Sequence, residues 1–89
     1  MTLESPATID HRDVPALVRR LWSEVLELDT AEPGDDFFSC GGHSLSAVAL
    51  ISALDTALNI EVDMDILFDV GTLEGLTTEC LRLLDALPE

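Results

Sequence analysis

Apolar residues along this chain recur at helical spacing in blocks and break off between them. Val14, Val18, Leu21, Val25 and Leu28 follow one another at steps of four and three, with Leu17 and Trp22 widening the stripe and Pro15 suited to a first turn. This predicts a first helix from Val14 to about Leu28. Asp29 to His43 holds Pro33, Gly34, Gly41 and Gly42 without any helical period, so a loop of about 15 residues is expected, pinned to the core by Phe37 and Phe38. A second helix is predicted from Ser44 to about Leu58, ahead of Asn59. At about 100° per residue, Ala47, Leu50, Ile51, Leu54 and Leu58 share one face, which is core. Leu45, Val48, Ser52 and Asp55 share another, where the two apolar residues pack either under the long loop or against a partner.

Met64 to Phe68 reads as a short helical turn preceded by Asp63. Gly71-Thr72 then introduces a last helix with Leu73, Leu76, Cys80, Leu83 and Leu87 in register, closed by Pro88. Between these elements Ile60-Glu61-Val62 is extended, yet too short to found a sheet. Residues 1–12 contain Pro6 and no periodicity, so they are expected to be a flexible tail, leaving 13–87 as the domain. The fold expected is all-α: a four-helix bundle with a long loop between helices one and two and a short third helix.

Composition narrows what such a bundle can do. At 89 residues the chain is one domain that buries about 60% of the surface its unfolded chain exposes, too little for a deep enzyme cleft. The hydrophobic content of 47% is that of a folded protein, although 18 acidic residues against four arginines give a net charge of -14. That field repels nucleic acid and anionic membranes and favours partners that present Arg or Lys. Two cysteines, Cys40 and Cys80, are expected to stay reduced as small apolar side chains. The N-terminus lacks the basic start and apolar run of a signal peptide, and nothing approaches a membrane span, so a cytoplasmic protein is expected.

The candidate chemistry gathers at Ser44. Gly41 and Gly42 free the backbone ahead of it for close approach by another molecule, and the helix that begins there offers unpaired N–H groups to an anion. A hydroxyl so placed is suited to carry a phosphate. Gly42-His43-Ser44-Leu45-Ser46 nearly spells a hydrolase nucleophile elbow, but Ser46 stands where the second glycine belongs and no strand precedes it. Histidines and cysteines occur at no metal-ligand spacing, and the twelve-residue calcium loop is absent. A further alternative stays open: Ser44 as an innocent helix cap on an acidic interaction module.

The stretch Asp35-Asp36-Phe37-Phe38-Ser39-Cys40-Gly41-Gly42-His43-Ser44-Leu45 resembles the phosphopantetheine attachment motif of carrier proteins, in particular the peptidyl carrier proteins of nonribosomal peptide synthesis. Leu21-Trp22-Ser23-Glu24-Val25-Leu26, Leu67-Phe68 and Thr72-Leu73-Glu74-Gly75-Leu76 extend the resemblance across residues 14 to 87. It implies a four-helix bundle of the acyl carrier protein type that is no enzyme. Ser44 would receive 4'-phosphopantetheine from coenzyme A through a phosphopantetheinyl transferase, with Gly41, Gly42 and His43 beside the attachment point. The arm would hold an aminoacyl or peptidyl group as a thioester for adenylation, condensation, tailoring or thioesterase enzymes. Leu45 and Val48, with Met64 and Phe68, would form the apolar dock of a monomeric carrier. His43 resembles peptidyl carriers, whereas the strong acidity is closer to acyl carriers of fatty-acid or polyketide synthesis. A chain running from Met1 to just past the last helix is expected to be freestanding.

Overall fold

The structure, a computed structural model, describes residues 11–86. Most of the expected tail, and Leu87 and Pro88 at the end of the last helix, lie outside these residues; His11–Asp13 forms a 3-10 turn leading into the first helix. Four α-helices follow: α1 (Val14–Leu26), α2 (Ser44–Leu58), α3 (Asp65–Asp69) and α4 (Leu73–Ala86). Among the described residues the only β pairing is an isolated antiparallel bridge between Asp36 and Thr72. Helix α1 packs against both α2 and α4, and the short α3 leans on α4.

Helix α1 buries Val14, Val18 and Trp22 and ends two residues earlier than its periodicity predicts. Glu27 turns left-handed at φ 56° and ψ 48°, and Leu28 N–H reaches back to the Ser23 carbonyl at 2.9 Å. That closure satisfies a last-turn carbonyl. Leu28 still packs on the core from outside the helix, which is why the pattern carried through it. Helix α2 buries Ala47, Leu50, Ile51, Leu54 and Leu58, the face expected. It stops at Asn59, also left-handed at φ 56°, a conformation asparagine tolerates better than most residues.

Beyond Asn59 the tripeptide alternates as extended backbone does: Ile60 and Val62 are buried and Glu61 is exposed. Asp55, on the polar side of α2, accepts the Val62 N–H at 2.9 Å and so holds this segment to the helix. Helix α3 starts at Asp65 rather than Met64, because the Asp63 side chain accepts the Asp65 N–H at 3.0 Å and Met64 serves as the cap residue. Helix α4 starts at Leu73, one turn being closed by Thr72 Oγ1, which accepts the Gly75 N–H at 3.1 Å. Among the described residues the core is apolar in its side chains apart from the Trp22 indole N–H, which is buried without a partner.

Candidate functional site

The loop between α1 and α2 is tied down along its second half. Leu73 and Glu74, whose N–H groups open α4, donate to the carbonyls of Asp35 and Pro33 at 3.0 and 2.8 Å, and Phe37 N–H donates to the Gly71 carbonyl at 2.6 Å. First-turn amides of one helix thus fix the loop that leads to another. Phe37 is fully buried and meets Trp22 edge-on, ring centroids 5.4 Å apart. Phe38 departs from expectation. Backbone that sends Phe37 inward turns its neighbour outward, so Phe38 lies at the surface and stacks on Phe68 of α3 at 5.2 Å with rings 19° apart.

A tight turn then delivers Ser44. Cys40, Gly41 and Gly42 N–H groups donate to the carbonyls of Asp36, Phe38 and Phe37 at 3.0, 3.2 and 3.0 Å. The two glycines serve different ends. Gly41 has φ +101°, a conformation side chains resist. Gly42 is filled from inside the protein: a Cβ there would run into the Phe37 ring and lie 2.7 Å from the Phe37 carbonyl oxygen. Gly42 therefore makes room for core packing within the loop, whereas an added Cβ at Gly41 would meet open space.

His43 is extended at φ -146° and is the cap residue of α2, while Ser44 is the first helical residue. The His43 side chain makes no cap bond; its Nε2 is hydrogen-bonded to Ser46 Oγ at 3.2 Å. Ser44 is exposed, and among the described residues its hydroxyl has no hydrogen-bond partner. Among the described residues it neither caps the helix nor meets a base, so the innocent-cap reading fails on geometric grounds. The first turn of α2 carries no acidic residue.

Leu45 and Val48 are 75% and 51% exposed, so they do not pack under the loop. Phe68 is 58% exposed, whereas Met64 is half-buried against the core. Val70, 40% exposed, follows α3 on the same short segment. Both cysteines are free. Cys80 is in the core, and burial pushes its thiol up to about 12. Cys40, in the turn before Ser44, is also pushed up, by desolvation first and then by the carboxylates of Asp35 and Asp36.

Comparison with known proteins gives a concordant result. The family model described as phosphopantetheine attachment site matches residues 16–80. Gramicidin S synthase 2 of Brevibacillus brevis is 41% identical over 59 residues, which is 66% of this chain and 1% of that protein. The chain thus spans a very small part of the curated relatives it matches. A structure of the phosphopantetheine transferase Sfp in complex with coenzyme A and a peptidyl carrier protein superposes with a TM-score of 0.74 at 26% identity, covering 78% of this chain and 90% of the other. The solution structure of a peptidyl carrier prototype from modular peptide synthetases gives 0.68 at 27% identity, covering 79% and 91%.

Proposed function

This chain belongs to the phosphopantetheine attachment-site family, and on that premise we propose that it is a peptidyl carrier of nonribosomal peptide synthesis with Ser44 as its attachment residue. The observation that carries the assignment is the exposed, unpartnered hydroxyl of Ser44 at the first position of a 15-residue helix. The surrounding residues fit the group. A phosphodiester on Ser44 would lie beside the free N–H groups of the first turn of α2, a turn with no acidic residue of its own; such a placement is worth about 0.3–1 kcal/mol. When attached, 4'-phosphopantetheine supplies a terminal thiol on which an aminoacyl or peptidyl group is held.

The chain's own residues present and do not catalyse. Among the described residues no base meets the Ser44 hydroxyl, so its activation falls to the transferase that docks on it. Leu45, Val48 and Phe68 supply exposed apolar contacts, and the net charge of -14 steers partners with basic rims toward them. Met64 contributes less, being half-buried. Peptidyl rather than acyl cargo is supported by the likeness to gramicidin S synthase 2 and to peptidyl carrier structures, and by His43 before the serine.

Loading tests the cargo class. After conversion to the pantetheinylated form, the protein is offered to an amino-acid adenylation enzyme with ATP and an amino acid, and in parallel to a malonyl transferase with malonyl-coenzyme A. Aminoacyl mass on the protein is expected; exclusive malonyl loading would assign the chain to acyl carriers instead.

A further inference from the structure

Asp36 stands where the Ser44 loop and the α3–α4 junction are joined. Its backbone bridges Thr72, and the next N–H, that of Phe37, donates to Gly71. From there a run of backbone hydrogen bonds reaches Gly42, two residues before Ser44. The Asp36 carboxylate adds a bond the backbone cannot make, since its Oδ2 accepts the Ser39 N–H at 3.0 Å and closes the start of the turn. Its other oxygen lies over Gly71, where an added Cβ would come within 2.6 Å of Oδ1. Gly71 also has φ +67°, so both its conformation and its missing side chain make room for this carboxylate.

A second carboxylate beside Asp35 is not needed for solubility in a chain of net charge -14. Geometry gives it a use. We propose that Asp36 is a positioning residue for modification of Ser44: held against Gly71, its carboxylate sets the turn that presents the Ser44 hydroxyl to the transferase. This rests on the reading of Ser44 as the attachment residue and deepens it.

The test separates position from charge. Asp36→Asn keeps an acceptor oxygen at the same reach and loses the charge, whereas Asp36→Glu keeps the charge and moves the acceptor by one methylene. Transfer from coenzyme A by a broad-specificity phosphopantetheinyl transferase is followed by protein mass, with helical circular dichroism and Trp22 emission confirming folded samples. Asp36→Glu and Asp36→Ala are expected to lose about tenfold in kcat with KM within about twofold of wild type, and Asp36→Asn to stay within about threefold in both. The reverse order, Asn impaired through KM and Glu normal, would make Asp36 a steering charge and overturn the proposal. Gly71→Ala, which keeps the carboxylate but crowds Oδ1, should show the same kcat loss even if Asp36→Ala does not fold, and a wild-type kcat there would also overturn it. An unmodified wild type would defeat the Ser44 reading itself, and this proposal with it.

Discussion

Replacing Gly42 with alanine places a methyl group against the ring of Phe37 and 2.7 Å from the Phe37 carbonyl oxygen. Phe37 cannot yield easily. Its ring is fully buried, set edge-on to Trp22 at 5.4 Å and to Phe38 at 5.2 Å. Overpacking of this kind costs about 1–3 kcal/mol. Alanine also restricts the unfolded chain, which returns about 0.4–1 kcal/mol when the backbone conformation is compatible. The net expectation is a loss of about 1–2 kcal/mol, out of about 4–13 kcal/mol for a domain of 89 residues. At about 4–8 °C per kcal/mol, the midpoint should fall by about 5–15 °C. Thermal and urea unfolding followed by circular dichroism measure this directly. The single tryptophan adds a local probe, because Trp22 emission should shift as Phe37 is displaced. Gly34→Ala is the control: nothing lies within 4 Å of its Cβ position, and it should be as stable as wild type or more so, by up to about 1 kcal/mol from the restricted unfolded chain. A Gly42→Ala protein as stable as wild type, with unchanged emission, would refute the argument and return the glycine to a role in partner approach.

Leu45→Asp and Val48→Asp should leave helical circular dichroism and the unfolding midpoint nearly unchanged, given their exposure, while slowing pantetheinylation or loading at least severalfold; loss of fold would show that these residues are core. Phe68→Ala removes the stacked partner of Phe38, with a stability cost of about 0.5–1.5 kcal/mol expected by denaturant titration. Burial pushes the Cys80 thiol from 9.0 to about 12, so the unfolded chain loses this proton first. The contribution is therefore full below about pH 9 and is lost as pH rises toward 12, with a slope of at most about 1.4 kcal/mol per pH unit. With no tyrosine and no lysine in the chain, thiols dominate that window, and Cys80→Ala should flatten the alkaline decline measured by urea unfolding; an identical decline would refute the assignment.

What the sequence made legible was whatever repeats with the helix. The buried face of α2 could be read residue by residue, since Ala47, Leu50, Ile51, Leu54 and Leu58 lie on one side of a regular cylinder. Its ends were less visible at α1, where Leu28 keeps the apolar rhythm after the backbone has turned at Glu27. Loop residues obey no period, so Phe37 and Phe38 looked equivalent although one fills the core and the other faces α3. For the same reason the partner of Gly42 was invisible: the ring it accommodates is five residues earlier in the chain and meets it only once the turn has closed. Ser44 was legible because its surroundings are local. The residues that hold its loop, Gly71 and Thr72, are distant in sequence and come to it only through the fold.

Attachment of the phosphopantetheine arm to Ser44 is read out by protein mass. Incubated with coenzyme A, magnesium and a broad-specificity phosphopantetheinyl transferase, the wild-type chain should gain a single phosphopantetheinyl mass that peptide mapping assigns to Ser44, and Ser44→Ala should gain none. A wild-type chain that stays unmodified, or a Ser44→Ala chain that is modified as readily as wild type, would contradict it.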